Sequence, residues 1–254
     1  MLPLLYAVCI SFMEPAEILT KELHFFPNSL SLENYRIVFK QTAIFRFMLN
    51  SFLIAFVSSF VRIITSSLSA FSFAFFEYKG KKLMFYLVTV SLIIPVDVLM
   101  VQNYFTVADM GMINTYMGMM VVFFVSSMNI FVMRQNFMAY SRTLKEAAMI
   151  DGCSNFLFYL RILLPSSKSV LATVFISSFV GTWNTYLWPM MVTNKNEMRT
   201  AQVAITMMNV NESSSFGYGS VMAAAVIILI PSILVFIIFQ KKIIGGAMAG
   251  AVKG

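Results

Sequence analysis

The sequence has little charge for its length. Of its 254 residues, 11% are Asp, Glu, Lys or Arg, whereas 59% are hydrophobic. A soluble domain has about 25% charged residues, so this chain cannot cover a surface that faces water. The composition therefore excludes an ordinary soluble domain. Several apolar runs approach the ~20 residues that a membrane-spanning helix needs, which predicts an integral membrane protein.

Cysteine and histidine are also scarce. Cys9 lies in an apolar N-terminal piece and Cys153 in a predicted cytosolic segment, so the two are not expected to form a disulfide. His24 is the single histidine, which excludes a multi-His site or a Cys/His zinc site built by this chain alone. We predict no metal site and no cofactor in this chain, and we interpret His24 as an ordinary loop residue.

Motifs of catalysis are missing as well. The sequence contains no G-x4-G-K-[ST], no H-E-x-x-H and no G-x-S-x-G, and its predicted spans hold no paired acids. We therefore predict that the chain is not an enzyme and has no catalytic residues. Because a phosphate-binding loop is lacking, any ATP hydrolysis must come from a separate chain.

The apolar runs set the predicted architecture, which is a single all-α domain over 1–254, a polytopic membrane helical bundle. Complete spans are predicted at about 47–74, 83–103, 115–133, 168–192 and 220–240. Met1–Met13 is too short to span and lacks the basic start and cleavage site of a signal peptide. We interpret it as half of a further span, which gives six spans with the first one truncated.

The distribution of charge predicts the topology. The segments 75–82, 134–167 and the tail after 240, with Lys168, hold eleven basic residues against three acidic ones, whereas the opposite side holds six against seven. The basic side is cytosolic by the positive-inside rule. We expect a multi-pass protein of the bacterial plasma (inner) membrane with a cytoplasmic C-terminus. The net charge of +7 then reflects topology, and a nucleic-acid partner is not expected.

Two charged residues fall within predicted spans. Arg62 and Asp97 each cost about 2.5–3.5 kcal/mol at the centre of a membrane helix, so such residues pair or line a polar cavity. We predict that both line a translocation path. The alternatives are a buried interhelical pair, or an Arg that reaches the cytosolic face. Pro95, two residues before Asp97, predicts a kink in this span.

The stretch GTWNTYLWPMM supplies further path candidates, namely Trp183, Asn184 and Tyr186. Asn184 could hydrogen-bond a polyol while the Trp183 ring stacks on it. The alternative is that Asn184 joins neighbouring helices and that the aromatic residues, Trp188 included, lie at the outer membrane interface.

The predicted cytosolic segment Leu144–Ser167 has an ordered pattern. Residues 144–151 favour a short helix, Gly152 ends it in an open or left-handed conformation, and Asn155–Leu164 forms a second helix that Pro165 stops. Ala147 and Ala148 allow a partner to approach closely. Asp151 opposes the dipole at the helix C-terminus, which indicates a partner cation or a capping role. The alternative is an amphipathic surface elbow without a partner.

The same segment carries a motif. The string E-A-A-x2-D-G-x9-I-x-L-P, from Glu146 to Pro165, resembles the EAA loop of permease subunits in binding-protein-dependent ABC importers. Further pieces resemble the carbohydrate-import branch, in particular the smaller permease of maltose-type and glycerol-3-phosphate-type systems. They are LENY (32–35), NS (50–51), IPVDV (94–98), WN-x-YLWP (183–189), RT (199–200), SVMAA (220–224) and AGAVKG (249–254).

The resemblance implies a type I importer permease fold and a set of partners. Residues 134–167 would be a coupling loop whose short helix enters a cleft of a cytosolic ATPase, with Glu146, Ala147, Ala148, Asp151 and Gly152 as coupling residues. The partners would be a second homologous permease, two ATP-binding-cassette ATPases and, at the outer loop Thr193–Gly219, an extracytoplasmic substrate-binding protein, all in membrane lipid. The tail after Gln240 would also touch the ATPases.

The implied function is import of a sugar, a polyol or sn-glycerol-3-phosphate by alternating access. Arg62 with Asp97 looks more like the glycerol-3-phosphate type. Cys153 stands where the family has alanine, a change that is conservative in size. The alternative is a self-sufficient secondary transporter, which often has inverted repeats, and no internal repeat is visible in this sequence.

Overall fold

The computed structural model describes residues 2–18, 25–210 and 217–251, and the regular elements within them are all helices. The predicted all-α class is confirmed. His24, the central part of the predicted outer loop and Val252–Gly254 lie outside the described residues. The α-helices, in chain order, are α1 Leu2–Ser11, α2 Pro15–Ile18, α3 Glu33–Gln41, α4 Ile44–Phe75, α5 Lys81–Val90, α6 Met100–Asp109, α7 Tyr116–Met120, α8 Ser127–Met138, α9 Arg142–Ile150, α10 Asn155–Phe158, α11 Leu164–Ser166, α12 Lys168–Trp183, α13 Leu187–Val192, α14 Ala201–Val210 and α15 Tyr218–Ala251.

Helices of membrane-spanning length are present, although fewer are continuous than the sequence predicts. Among the described residues, α4 and the Tyr218–Phe239 part of α15 are each long and apolar enough to cross a membrane. Three further helix pairs pass the same test together, but each is bent sharply at a short break. The described residues thus provide two spans, or up to five if each bent pair counts as one.

The first bent pair, Lys81–Ile93 with Val96–Asp109, turns by 97°. Its break lies at Pro95, which has no N–H to donate and which disfavours a helical conformation in the residue before it. The predicted kink is confirmed, and it divides the span predicted over 83–103 into two helical segments. Asp97 lies on the exposed 3₁₀ turn Val96–Leu99 that follows the break.

The second bent pair, Tyr116–Phe123 with Ser127–Met138, turns by 47°. Ser126 caps its second half, since the Ser126 hydroxyl accepts a hydrogen bond from Asn129 N at 3.3 Å. A serine in this position offers the chain a helix start, which interrupts the span predicted over 115–133.

Two further predictions, within residues 168–219, are also corrected. The helix predicted over 168–192 is interrupted, because α12 ends at Trp183 and α13 begins at Leu187. The predicted outer loop Thr193–Gly219 is not a loop throughout, because it contains the 3₁₀ turn Asn196–Met198 and the ten-residue helix α14.

The described residues fall into two compact units. One contains the residues up to Ile54, Met112–Met119 and Trp183–Ile237, and the other contains Ala55–Gly111, Met120–Thr182 and the residues from Ile238. In the first unit, the buried Asn34 donates its amide hydrogens to the carbonyls of Ser11 at 3.1 Å and Met13 at 2.7 Å. These bonds attach α3 to the end of α1.

Candidate functional site

The predicted coupling helix forms as α9, Arg142–Ile150. At its start the Ser141 hydroxyl accepts a hydrogen bond from Thr143 N at 3.1 Å. At its end Gly152 adopts φ +80°, Gly152 N donates to Met149 O at 3.0 Å and Cys153 N donates to Ala148 O at 2.9 Å. This pair of bonds is the Schellman pattern that ends helices at a left-handed glycine. The predicted short helix and its glycine end are confirmed.

The second helix of the segment runs from Asn155 to Ser166. It begins under a serine cap, since the Ser154 hydroxyl accepts from Leu157 N at 3.3 Å. Its middle is a π-helical turn, Tyr159–Leu163, and the helix bends by 78° into α12 after Ser166. The helix predicted over Asn155–Leu164 therefore continues two residues further, through Pro165 to Ser166. We call residues 142–166 the elbow.

One side of the elbow packs on the core of its own unit. Ala148 is only 7% exposed, and Phe158, Tyr159 and Leu163 are buried with it. Their buried neighbours come from α4, α8 and α12, and are Ala70, Phe71, Ala74, Met133, Phe137 and Val174. The small side chain of Ala148 therefore permits close packing within this chain, whereas the interpretation from sequence assigned it to a partner.

The other side of the elbow is exposed. Glu146, Ala147, Asp151 and Gly152 are all exposed, and the side chains of Glu146 and Asp151 make no hydrogen bond or ion pair with any described residue. Asp151 occupies the C-cap position of α9, where its backbone N donates to Ala147 O at 3.1 Å, but no described residue supplies the partner cation expected for its carboxylate. Large apolar side chains of the elbow are exposed as well, with exposed fractions of 41% for Leu144, 48% for Met149, 86% for Ile150, 62% for Phe156 and 44% for Leu160. We call these nine residues the docking face.

The bases of α9 bind the chain's own turn after α4, a contact that sequence reasoning did not predict. Lys145 Nζ donates to Phe75 O at 3.3 Å and lies 4.5 Å from the centre of the Phe76 ring. Arg142 contacts Glu77 at 3.0 Å, and Lys81 contacts the same carboxylate at 3.2 Å. A cation at the C-terminal end of a helix is favourable because it meets the free carbonyls there.

Electrostatics at this contact follow from burial and pairing. Desolvation by burial, and secondly the charge of Arg142, lower the pKa of the Lys145 amine. The hydrogen bond from Lys81 is the main cause that holds the pKa of the Glu77 carboxyl below its ordinary value. At neutral pH the turn therefore holds one carboxylate between two cations, Lys81 and Arg142.

Arg62 and Asp97, both predicted to line a path, do not pair with each other among the described residues. Arg62 donates from Nε to the carbonyl of Phe123 and lies over its ring at 5.6 Å, while Thr65 donates to Phe124 O at 2.6 Å. These two residues of α4 thus satisfy carbonyls at the break in the second bent pair. The buried-pair alternative does not occur, and the path role stays a prediction.

The other path candidates lie at the break between α12 and α13. Trp183 is 2% exposed, Tyr186 is 42% exposed, and the exposed Asn184 accepts a hydrogen bond from Gln202 at 3.4 Å. Trp188 is 3% exposed and donates Nε1–H to Gly118 O at 3.2 Å. Both tryptophan rings are covered by protein, so neither forms part of a lipid-facing aromatic belt.

The NS motif (50–51) and the RT motif (199–200) meet in the first unit. Asn50 donates to Glu197 O and to Arg199 O, each at 2.9 Å, and accepts from Tyr116 OH at 2.7 Å. Ser51 accepts from Ala201 N at 2.9 Å at the start of α14. The NS and RT pieces therefore form one contact, which the spacing along the chain could not reveal.

Comparison with known proteins gives consistent results. A family model described as "Binding-protein-dependent transport system inner membrane component" matches residues 43–244. The sn-glycerol-3-phosphate transport system permease protein UgpE of Brucella melitensis is 32% identical over 256 residues, which cover 96% of this chain and 89% of that protein. The arabinooligosaccharides transport system permease protein AraQ of Bacillus subtilis is 29% identical over 231 residues, which cover 90% of this chain and 81% of that protein.

A solved structure shares the fold. It is the crystal structure of a bacterial ABC transporter involved in the import of the acidic polysaccharide alginate, with a TM-score of 0.85 and 22% identity. The match covers 94% of this chain and 89% of the other. At this identity the likeness shows the fold alone, and it confirms the predicted fold class.

Proposed function

The chain belongs to the family of inner membrane components of binding-protein-dependent transport systems, and from that premise we propose that it is the pore-forming permease of an ATP-driven importer. The relatives belong to the carbohydrate-uptake branch. In this proposal ATP is hydrolysed by two separate ATPase subunits, a second homologous permease completes the pore, and an extracytoplasmic binding protein delivers the substrate for alternating access.

The docking face carries this proposal. Glu146 and Asp151, whose side chains pair with no described residue, belong to this face together with exposed apolar side chains such as Ile150, which is 86% exposed. Desolvated apolar side chains at the centre of a contact supply most of its energy, and charges at the rim select the partner and orient it. A surface complementary to the docking face would be an apolar cleft with Lys or Arg at its rim. We propose that the ATPase subunit that binds this chain has such a cleft.

The substrate is proposed by class. The relatives transport sn-glycerol-3-phosphate or arabinooligosaccharides by their names, so the candidates are a sugar, a polyol or sn-glycerol-3-phosphate. Arg62 favours a substrate with an anionic group, because only Nε of its guanidinium bonds to a described residue. A guanidinium presents further N–H donors in a geometry that suits phosphate. Asp97, Trp183, Asn184 and Tyr186 stay candidate path residues in this proposal.

The first experiment is a pull-down of the tagged chain from its native membrane. The wild type is compared with Glu146→Lys on the docking face and with Glu33→Lys, an exposed glutamate on α3, as the matched control. We expect an ATP-binding-cassette ATPase and a second permease with the wild type and the control, and loss of the ATPase alone with Glu146→Lys. A wild-type chain that comes down alone, together with uptake that needs no ATPase, would instead support a self-sufficient secondary transporter.

The second experiment addresses the substrate. The melting temperature of the purified binding protein of this transporter is measured with sn-glycerol-3-phosphate, glycerol and arabinose oligosaccharides. A shift with sn-glycerol-3-phosphate, together with uptake that Arg62→Gln abolishes and Arg62→Lys partly retains, would support the anionic class. A shift with a neutral sugar alone would remove the support that Arg62 gives to that class.

A further inference from the structure

The charges of α9 are separated by sign. Its bases, Arg142 and Lys145, contact residues of the chain's own turn after α4, whereas Glu146 and the following Asp151 are exposed and unpaired among the described residues. Positions three apart on a helix are neighbours on its surface, so Lys145 lies beside the buried Ala148. One side of the helix therefore serves an internal contact, and the docking face is left for a partner.

The internal contact is directed at the end of one helix. Phe75 is the last residue of α4, and its carbonyl is among the groups that a helix leaves without an intrahelical donor. Lys145 supplies a donor to that carbonyl at 3.3 Å, and Lys81 supplies one to the next carbonyl, of Phe76, at 2.7 Å. Of these two lysines, Lys145 belongs to the elbow and Lys81 does not, so Lys145 is the one that connects the elbow to the end of α4.

Apolar and buried polar contacts reinforce this attachment. The Phe71 ring of α4 lies 5.1 Å from the Tyr159 ring, and the Phe75 ring lies 5.5 Å from the Phe158 ring. The Tyr159 hydroxyl is 2.6 Å from the Ser67 hydroxyl in a buried hydrogen bond. The cytosolic part of α4 is therefore attached to both helices of the elbow, through charge and through packing.

The same helix continues to the break in the second bent pair. Arg62 and Thr65 of α4 bind the carbonyls of Phe123 and Phe124, which lie at that break. Thr65 and the elbow contact at Ser67 are two residues apart on one continuous helix. A displacement of the elbow would therefore reach the break through α4 without passing through the connecting chain.

We propose that Lys145 is a positioning residue that attaches the coupling helix to α4, and that α4 transmits the movement of the elbow to the break at Phe124–Ser126. This inference rests on the proposed function. In it, Lys145 takes no part in holding the ATPase, and its loss separates ATPase binding from the stimulation of ATP hydrolysis.

The test uses the assembled transporter in native-membrane vesicles with Lys145→Met, which keeps an unbranched apolar stem and removes the charge. Lys145→Arg is the conservative variant, and Lys82→Met, at an exposed lysine near the start of α5, is the matched control. The two readouts are the amount of ATPase that copurifies and the ratio of ATP hydrolysis with and without the purified binding protein. We expect Lys145→Met to keep the ATPase and to lose about tenfold in the stimulation ratio, with Lys145→Arg and Lys82→Met near wild type.

Each other result decides against the proposal. An unchanged stimulation ratio in Lys145→Met would overturn it, and so would a loss of copurified ATPase in proportion to the lost stimulation, because Lys145 would then be a docking residue. If Lys145→Met does not reach the membrane, Tyr159→Phe removes only the hydroxyl that binds Ser67, and we expect a drop of about twofold or more in the same ratio. An unchanged stimulation ratio in Tyr159→Phe would also overturn the proposal. If no ATPase copurified with the wild-type chain, the proposed function itself would be wrong.

Discussion

The two ends of α4 hold their neighbours by different means. Near the end that the predicted topology places outside, Asn50 and Ser51 bind the backbone of residues 197–201 with neutral hydrogen bonds of 2.9 Å. At the other end, which the predicted topology places in the cytosol, α4 and the turn after it hold the elbow through aromatic packing, a hydrogen bond from Lys145 and an exposed carboxylate between two bases. The first attachment depends on fixed backbone geometry, while the second depends on side chains that can adjust.

This difference indicates different mechanical roles. The Asn50 side chain binds two carbonyls of the 197–201 segment and also accepts from Tyr116. Any shift of the segment would break several directional hydrogen bonds at once, so its position is fixed. Charged side chains on long stems and packed rings tolerate small shifts, because their contacts depend less on angle. We expect the outer attachment to be rigid and the cytosolic attachment to move as a unit. Variants at the two ends test this comparison.

The largest effect is expected at the outer attachment. Asn50→Leu removes one side chain that makes three hydrogen bonds and leaves the partners of those bonds unsatisfied, at about 1–3 kcal/mol for each group that water cannot reach. Asn129→Leu, which removes a single bond of 2.9 Å to Ser178, is the matched comparison. The apparent melting temperature in detergent should fall clearly more for Asn50→Leu. Equal falls would contradict a specially rigid outer attachment.

The next effect is expected on the packed side of the elbow. Ala148→Leu inserts a large side chain at a position that is 7% exposed and should destabilise the fold by about 1–3 kcal/mol through overpacking. Ala147→Leu, one residue away and exposed, should leave the melting temperature unchanged and weaken ATPase copurification instead. If the two variants behaved alike, the division of the elbow into a packed side and a docking face would be wrong.

A smaller effect is expected at the end of α9. Gly152 has φ +80°, and a Cβ added there would meet nothing within 4 Å. The cost of Gly152→Ala is therefore conformational, about 1–2 kcal/mol. Gly152→Asn should cost less, because asparagine tolerates this conformation better. Thermal unfolding of both variants checks the order, and a larger loss for asparagine would show that space decides at this position.

The smallest effect is expected for Glu77→Gln, because Glu77 and Arg142 are both well exposed and such pairs are screened by salt. The pKa of Glu77 is lowered in the folded state, so its contribution is present above its unfolded pKa and is lost as the pH falls through the folded value. The difference in melting temperature between wild type and variant should thus be largest at neutral pH and low salt. A difference that persists at acidic pH or high salt would refute this account.

Part of this fold could be predicted from the sequence. Apolar runs identify the membrane segments, because a helix that crosses the bilayer needs about twenty mostly apolar residues in a row. Gly152 predicts the end of α9, because the left-handed conformation strongly favours glycine. Pro95 predicts a break for an equally local reason. Each of these signals depends on a single residue or on an average over a window.

The remaining features depend on contacts across the chain. Ala147 and Ala148 are chemically identical, so only the packing distinguishes the exposed one from the buried one. The break at Phe124–Ser126 contains no proline, and its carbonyls are satisfied by Arg62 and Thr65, about sixty residues earlier. Lys145 reads as one more cytosolic base until its distance to Phe75 is known. A hydropathy average over neighbouring residues cannot show these contacts, because their partners lie far apart in the sequence.

The separation of charges on α9 has a consequence for how such subunits diverge. In the proposed function, recognition of the ATPase depends on the exposed docking face, whose two acids make no side-chain hydrogen bond or ion pair with a described residue. These residues could therefore be exchanged for those of another permease while the internal contact of Lys145 with Phe75 is kept. Such an exchange would change which ATPase binds. It would leave intact the contacts through which a movement of the elbow reaches α4.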